Sequence, residues 1–293
     1  MISILIPTYN YNTTPLVQKL LEQAESITQA VEILIFDDGS HDFRKENMKL
    51  GELPKVTYRY FEENMGRSAI RQRLAEQASY DLLLFLDADV VPASENFLAN
   101  YFKFMDENSK VICGGVVYEE TPPAKDKLLR YTYGIKRETK SAVDRSREPY
   151  IIVTANVLID KKIFVSINED LTNFYGEDLL LSWNLKKLNV PVIHIDNPVF
   201  HLGLENSVDF MNKAKTAITN LVRLEKEGRI GHDFISLQRA YRKLKRYGGL
   251  GLFRSITKMM GNRMRSNALS DSPSMFYFNL WRLSHYTNLK KND

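Results

Sequence analysis

Four short apolar runs alternate with helix-period segments in the first 110 residues, and this alternation limits the possible folds more than any other feature of the chain. The runs lie at residues 2–6, 31–36, 56–61 and 82–86. Each run is too short for a typical helix and ends at polar residues, as buried strands do. Strands that alternate with helices form βαβ units, so we predict an α/β fold with a mostly parallel central sheet flanked by helices.

Two aspartates, Asp87 and Asp89, follow the last of these runs with only Ala88 between them. Ligands of parallel sheets bind beyond the carboxyl ends of the strands, so both carboxylates point to a site. Because neighbouring acids repel each other, a cation beside them is a simple reason for the pair, and carboxylate oxygens suit Mg²⁺ or Mn²⁺. The alternative is a solvated turn at the end of the strand.

The size and composition of the chain describe a globular protein. Its 293 residues are 44% hydrophobic, enough for one large domain or for a domain with an appendage. No stretch approaches the roughly 18–20 apolar residues of a membrane span, and residues 1–5 do not begin an export signal. The only cysteine, Cys113, lies in an apolar stretch and is expected to pack as a small hydrophobe. We therefore expect a cytoplasmic protein.

Charge divides the chain into two parts. Residues 1–200 carry 23 Lys and Arg against 29 Asp and Glu, whereas residues 201–293 carry 17 against 7. A basic region on a slightly acidic body indicates a polyanion partner, either anionic lipid or nucleic acid. From helical spacing beyond Ser207 we predict a domain at residues 1–206 and a basic helical region at residues 207–293.

Polar residues follow the other predicted strands as well. The first strand runs into Pro7, Thr8 and Tyr9 and lacks the Gly-x-Gly-x-x-Gly turn of a dinucleotide-binding dehydrogenase. The second strand ends at Asp38, where nucleotide-binding sheets often contact a ribose or a base, although an ordinary turn is the alternative. Arg71, on the next helix, either reaches a nucleotide or forms a surface ion pair.

Three further polar residues lie at element ends in the second half of the domain. Glu177 and Asp178 open a helix, where acids are also favoured by the helix dipole alone. His201 follows a short apolar run, and a lone histidine is more often an ordinary polar residue than a ligand. The positions of these three residues in the sequence do not by themselves assign a function to any of them.

Taken together, these pieces resemble the family 2 glycosyltransferases of the GT-A fold over about residues 1–203. The resemblance rests on five motifs in the family's order, which lie at residues 4–10, 37–40, 64–71, 87–89 and 176–178. The stretch 191–203 further resembles the branch of the family in which a histidine, here His201, completes the metal site.

The resemblance implies a reaction and its participants. The enzyme would move a sugar from a nucleotide-diphosphate donor, with a UDP-sugar favoured, to a hydroxyl of a glycan or lipid-linked acceptor, with inversion. Asp178 would be the catalytic base, and Glu177 would orient or assist it. Mn²⁺ or Mg²⁺ would be held by Asp89, with Asp87 and His201.

The resemblance also implies residues that bind the donor and the acceptor. The residues that would bind the nucleotide are Pro7, Thr8, Tyr9, Asp38, Arg71 and Asp87. We place sugar contacts at Asn156 and Tyr175, and specificity in residues 119–149, which read as a long loop with one helical piece.

The basic region contains an unusual segment, residues 239–265, with nine Lys and Arg and no acid. Apolar residues interleave with the charges at helical spacing, as in a helix that lies in a membrane interface. Attachment to the inner face of the cytoplasmic membrane would suit a lipid-linked acceptor. In the alternative, the apolar stripe packs on the catalytic domain and the charges are solvated. No nucleic-acid-binding motif accompanies the charge, so we expect no nucleic-acid partner.

Two other functions compete with glycosyl transfer. A sugar-phosphate nucleotidyltransferase would need a Gly-rich triphosphate loop after the first strand, which residues 7–11 do not supply. A non-catalytic polyanion-binding protein would use the basic region and would have no need of the acids at the strand ends.

Overall fold

The computed structural model describes residues 1–105, 109–168 and 175–292. Contacts divide the chain into two compact units, Met1–Tyr118 with Glu138–Gly203, and Glu119–Arg137 with Leu204–Asp293. The second unit therefore includes a segment that the sequence analysis assigned to the first domain. The boundary between residues 206 and 207, which would separate the catalytic domain from the basic helical region, stays a prediction.

The first unit is built on a seven-stranded sheet and a three-stranded sheet. The large sheet has the order β3-β2-β1-β4-β8-β6-β9, and the small one has the order β5-β10-β7. The strands are β1 (Ile2–Thr8), β2 (Val31–Asp38), β3 (Val56–Phe61), β4 (Leu82–Leu86), β5 (Val90–Pro92), β6 (Val111–Cys113), β7 (Val116–Val117), β8 (Asn156–Asp160), β9 (Val192–His194) and β10 (Val199–His201). In the large sheet only β8 runs against its neighbours, so the predicted mostly parallel sheet is confirmed.

Helices follow most of these strands, as the alternating pattern predicts. Those of the first unit are α1 (Thr14–Glu25), α2 (Arg44–Leu50), α3 (Arg67–Gln77), α4 (Phe97–Phe104), α6 (Ala142–Arg145), α7 (Lys161–Ile167) and α8 (Glu177–Lys187). A core of buried apolar side chains joins the large sheet to α3, α7 and α8, with Leu5, Leu74, Phe85 and Leu185 among its members. Cys113 belongs to this core, as expected.

The register of the parallel strands brings their polar ends to one edge. Strands β1 and β2 each run two residues past the predicted apolar run, and Thr8 lies opposite Asp37. On the other side of β4, Leu86 pairs with Asn156 of β8, and the Asp87 amide donates to the carbonyl of Ala155 at 3.3 Å. The strand ends predicted to share a site therefore do lie at one edge.

The second unit is helical. Its helices are α5 (Leu128–Tyr133), α9 (Ser207–Lys226), α10 (Ser236–Arg246), α11 (Leu250–Met259), α12 (Gly261–Ala268) and α13 (Met275–Leu289). Leu129, Phe210 and Phe278 form its core, and the rings of Phe210 and Phe278 stack with centroids 5.5 Å apart. Among the described residues, no helix combines the length and the apolar character needed to cross a bilayer.

Residues 119–149 contain more helix than the predicted loop. A 3₁₀ turn (Lys125–Lys127), α5, a π-helical segment (Gly134–Glu138) and α6 fall within this stretch. Helix α5 is only six residues long, but it buries Leu129 fully and packs Tyr133 against Phe210, with centroids 5.2 Å apart. Packing on α9 thus stabilises a helix too short to form alone, which local sequence does not reveal.

Candidate active site

The turn after β2 is built around two buried aspartates. Asp37 accepts hydrogen bonds from the Ser40 amide at 2.8 Å and from the Tyr58 hydroxyl at 2.7 Å. Asp38 accepts hydrogen bonds from the amides of Met65 and Gly66 at 2.8 and 3.0 Å. Burial, with a smaller contribution from Asp37, raises the pKa of Asp38 above its usual range. Asp38 thus holds the turn that starts α3, and its contact to a nucleotide stays a prediction.

The segment after β1 lies against that turn. The Asn10 side-chain oxygen accepts from the amides of His41 and Asp42 at 2.8 and 3.1 Å. Thr8 is buried and donates its hydroxyl to the Tyr11 carbonyl, whereas Tyr9 is 50% exposed. Of the predicted nucleotide contacts in this segment, Tyr9 therefore presents the most accessible surface.

Arg71 is a buried link between two acids. Its guanidinium donates to Asp87 at 2.7 Å and to Glu177 at 3.0 Å, and all three side chains are largely buried. Although burial by itself raises the pKa of Asp87, the positive charges of Arg71 and Arg67 outweigh it, and the pKa lies below its usual value. The surface ion pair considered from the sequence is thus a buried one. It joins α3 to the end of β4 and to the start of α8.

Asp178 lies beside this network with a different partner. The Thr154 hydroxyl donates to its Oδ1 at 2.7 Å. Burial, followed by the nearby charge of Glu177, raises the pKa of Asp178 to about 6. A carboxylate with this pKa can take up a proton near neutral pH, as a general base must.

Asp89 and His201 meet where β10 pairs with β5. Asp89 Oδ2 lies 3.6 Å from His201 Nε2, and the Leu202 amide donates to the Asp89 carbonyl at 2.8 Å. A Cβ atom added at Gly203 would lie 1.9 Å from Asp89 Oδ2, so glycine is required for this approach. The ring of Tyr118 lies 5.5 Å from that of His201, centroid to centroid.

The residues present fit a divalent cation only in part. His201 Nδ1 is buried and has no hydrogen-bond partner among the described residues, so the fold leaves the hydrogen-bonding capacity of this nitrogen unsatisfied. One carboxylate and one imidazole suit Mn²⁺ or Mg²⁺ when phosphate oxygens of a substrate supply further ligands. In the described ranges, however, no three His, Cys, Asp or Glu side chains form a ligand group. Asp87, the third predicted ligand, forms an ion pair with Arg71 at 2.7 Å, and its role as a ligand stays a prediction.

The structure speaks against a sugar contact for Asn156. Its amide donates to the carbonyls of Gly115 and Asn197, each at 2.9 Å, and its oxygen accepts from the Tyr101 hydroxyl at 2.5 Å. At 1% exposure, the side chain is buried within this network. Asn156 therefore has a structural role.

Tyr175, Arg67 and Thr154 complete the surroundings of Asp178 and Glu177. The Arg67 guanidinium lies 3.7 Å from Glu177 and 5.6 Å from the centre of the Tyr175 ring. The role of Tyr175 toward a sugar stays a prediction. Sequence analysis did not single out Arg67 or Thr154 as site residues, although Arg67 precedes Arg71 by one helical turn and so shares its face of α3.

Comparison with known proteins places this geometry in context. The family model described as Glycosyl transferase family 2 matches residues 3–166, more than half of the chain. No curated protein sequence matches.

Three solved structures of two proteins illustrate the similarity of fold. A mannosyltransferase, PcManGT from Pyrobaculum calidifontis in complex with GDP-Man and Mn²⁺, has a TM-score of 0.62 at 14% identity, over 99% of this chain and 86% of that one. TarS residues 1–349 from S. aureus has a TM-score of 0.51 at 18% identity, over 99% of this chain and 90% of that one. A complex of the same TarS fragment with UDP-GlcNAc also has a TM-score of 0.51, at 17% identity, with the same coverage. The expected GT-A type of architecture is confirmed.

Proposed function

Because the chain belongs to glycosyl transferase family 2, we propose that it moves a sugar from a nucleotide-diphosphate donor to an acceptor hydroxyl, with inversion at the anomeric carbon. The observation that carries this proposal is the buried carboxylate of Asp178. It has a pKa of about 6 and is held by Thr154 beside the Arg71 network. A carboxylate of ordinary pKa would be less well matched to removing a hydroxyl proton near neutral pH.

Asp178 acts as the general base in this proposal. It takes the proton of the acceptor hydroxyl while that oxygen attacks the anomeric carbon, and the bond from this carbon to the diphosphate oxygen breaks with its electrons on the diphosphate. The Thr154 hydroxyl orients the carboxylate toward one direction of attack. Such positioning matters because a misplaced base loses most of its advantage.

Glu177 is a positioning residue in this proposal. Its carboxylate is held by Arg71 and Arg67, and Gly176, which precedes it, caps the start of α8 with a φ of 100°. These contacts hold the start of α8, and with it Asp178, against the end of β4. Glu177 therefore assists the base by holding it in place.

Asp89 and His201 would hold a divalent cation, Mn²⁺ or Mg²⁺, together with the donor diphosphate. When bound, such a cation supplies charge neutralisation for the leaving diphosphate. Gly203 gives Asp89 the space it occupies, and the buried Nδ1 of His201 has no hydrogen-bond partner among the described residues.

The donor nucleotide would lie between the turn after β1 and the turn after β2. Tyr9 offers an exposed ring there, with Pro7 and Thr8 beside it and Asp38 at the end of the neighbouring strand β2. We favour a UDP-sugar, either a hexose or an N-acetylhexosamine. The PcManGT complex contains GDP-Man and a TarS complex contains UDP-GlcNAc, so both nucleotides belong in the test.

A hydroxyl of a glycan or of a lipid-linked sugar is the acceptor that we propose, as in the synthesis of surface polysaccharides. Tyr175, whose ring lies near Arg67 and next to the start of α8, would contact the sugars in this proposal.

The first test measures the melting temperature with UDP or GDP, with Mn²⁺, and with each nucleotide and Mn²⁺ together. Because a ligand that binds the folded state stabilises it by mass action, a nucleotide present at 100 times its Kd adds about 2.7 kcal/mol. We expect a shift that needs both components and is lost in Asp89→Ala, while the exposed control Asp81→Ala keeps it. If no nucleotide raises the melting temperature, glycosyl transfer is the wrong proposal and the non-catalytic alternative gains support.

A further inference from the structure

One face of α11 is apolar and exposed. Leu252, Ile256 and Met259 are spaced at i, i+4 and i+7, and their exposures are 70%, 45% and 87%. Residues with this spacing share one side of a helix. We call these three side chains the α11 apolar face. Exposed apolar side chains usually occur singly, and a contiguous group on one helix points to a partner surface.

The opposite side of α11 holds the helix in place. Thr257 is buried and accepts a hydrogen bond from the Ser284 hydroxyl at 3.0 Å, and Arg254 donates to the Thr287 carbonyl at 2.8 Å. Both partners lie on α13. The α11 apolar face is therefore directed away from α13.

Positive charge surrounds this face along the chain. Residues 239–265 carry nine Lys and Arg and no acid. Lys243, Lys245 and Lys258 are exposed and form no ion pair within the described residues. Their charge is not neutralised by the protein, so it remains available to an anionic partner.

We propose that the α11 apolar face and the exposed lysines of α10 and α11 bind the surface of an anionic lipid bilayer. Exposed apolar side chains on α11, together with unpaired lysines on α10 and α11, are the features of an interfacial segment, which places its apolar face below the headgroups and its cations among the phosphates. A soluble polyanion would engage the cations but would give Leu252, Ile256 and Met259 no apolar environment. This inference goes beyond the proposed transferase activity and does not depend on it.

Aromatic side chains on the same unit add to the interfacial character. Tyr247, between α10 and α11, is 73% exposed, and Phe276, at the start of α13, is 67% exposed. Tyr277 contacts the ring of Phe276 and lies under the guanidinium of Arg263, with 5.7 Å from the guanidinium carbon to the ring centre. Aromatic and cationic side chains of this kind anchor proteins at the headgroup level.

The test is sedimentation of the full chain with two kinds of vesicle, phosphatidylcholine alone and an equimolar mixture of phosphatidylcholine and phosphatidylglycerol. We expect binding to the mixed vesicles only, and weaker binding as salt rises. Two sets of variants are compared. The apolar set is Leu252→Ser, Ile256→Ser and Met259→Ser combined; the charge set is Lys243→Gln and Lys258→Gln combined.

Each set has a matched control on other surfaces. For the apolar set it is Val143→Ser, Leu188→Ser and Met48→Ser, whose side chains are similarly exposed; for the charge set it is Lys45→Gln and Lys162→Gln. Each cation near an anionic leaflet contributes about fivefold in affinity, so we expect the charge set to lose more than about tenfold. The apolar set should lose about tenfold or more, and both controls should bind as the unmodified protein does.

Three results would overturn the proposal. The first is failure of the unmodified chain to bind the mixed vesicles. The second is full binding by the apolar set together with loss of binding in the presence of RNA, which would assign the surface to a soluble polyanion. The third is a concentration-dependent dimer in analytical ultracentrifugation that the apolar set abolishes, which would make a second copy of the chain the occupant. Melting temperatures of all variants, measured alongside, separate loss of the surface from loss of the fold.

Discussion

At the scale of the residue, environment separates acids that look alike in the sequence. Asp87 and Asp178 are both buried near Arg71, yet the pKa of Asp87 lies below its usual value and that of Asp178 rises to about 6. The difference has a geometric cause, because Arg71 donates directly to Asp87 and to Glu177, whereas the hydrogen bond to Asp178 comes from a neutral hydroxyl. Paired with a cation, a carboxylate stays charged; desolvated beside another acid, it becomes a base.

Replacing Asp178 by Asn tests its role as the base. We expect kcat to fall by about 10²–10⁴-fold, the usual contribution of a general base, because an amide cannot accept the proton. Binding of the nucleotide should be unchanged, as measured by the melting temperature with nucleotide and Mn²⁺. The exposed Asp81→Asn serves as the control. Near-normal turnover in Asp178→Asn would mean that another group is the base.

The hydrogen bond from Thr154 to Asp178 can be tested through the pH dependence of kcat. Asp178 acts as a base only when ionised, so kcat should fall as the pH drops through about 6. The hydrogen bond from Thr154 stabilises the ionised form and lowers the pKa of Asp178. Removing it in Thr154→Val should therefore move the acid limb of the pH–kcat profile to higher pH, whereas Thr154→Ser should restore the original profile. An unmoved limb in Thr154→Val would separate this hydroxyl from the base.

At the scale of the element, the site depends on where helices and strands end. Helix α3 carries Arg71, β4 ends next to Asp87, and α8 begins with Glu177, so a single guanidinium joins three elements. Strand β10 lies beside β5 with His201 opposite Val90, which brings His201 to Asp89. Side chains that are 106 and 112 residues apart in sequence thus meet because the fold fixes where the helices begin and where the strands end.

The role of Gly203, in the turn after β10, can be tested by substitution. A Cβ at this position would lie 1.9 Å from Asp89 Oδ2 and 2.7 Å from Asp89 Cβ, so Gly203→Ala must move the whole side chain of Asp89. We expect the Mn²⁺-dependent rise in melting temperature with nucleotide to be lost or strongly reduced. Gly261→Ala is the matched control, because a Cβ there meets no heavy atom of the described chain within 4 Å. An unchanged rise in Gly203→Ala would argue against Asp89 as a ligand.

At the scale of the whole molecule, the chain forms two units with separate apolar cores. The first core lies on the large sheet, and the second joins α5, α9, α12 and α13. Each unit contains one of the two tryptophans, Trp183 in α8 and Trp281 in α13. All residues of the candidate active site belong to the first unit.

The two tryptophans allow the unfolding of each unit to be followed separately. In Trp281→Phe the remaining Trp183 follows unfolding of the first unit, and in Trp183→Phe the remaining Trp281 follows the second. A nucleotide that binds with Mn²⁺ should raise the denaturant midpoint reported by Trp183, because its proposed site lies in that unit. The midpoint from Trp281 should rise by less. Equal shifts would show that the two units unfold as one.

The sequence by itself determined the type of architecture and the edge of the sheet at which the polar residues meet. Apolar runs of five or six residues, alternating with helical periodicity, require buried parallel strands, and the predicted strands at 56–61 and 82–86 have these bounds in the structure. Polar residues at the ends of such strands must share an edge, which brings Thr8, Asp37 and Asp87 to one side of the sheet. These features are local in sequence or follow from the period of the strand.

Only the tertiary structure decided what each polar side chain does there. Asn156 reads as a sugar contact in the sequence, yet it closes a buried network with Tyr101 and Asn197. Arg71 reads as a surface residue or a nucleotide contact, yet it links two buried acids. The reason is physical: burial, charge and hydrogen bonding depend on neighbours that lie far away in sequence, and periodicity carries no information about them. The same holds for α11, whose apolar spacing indicates a face but not whether that face is covered.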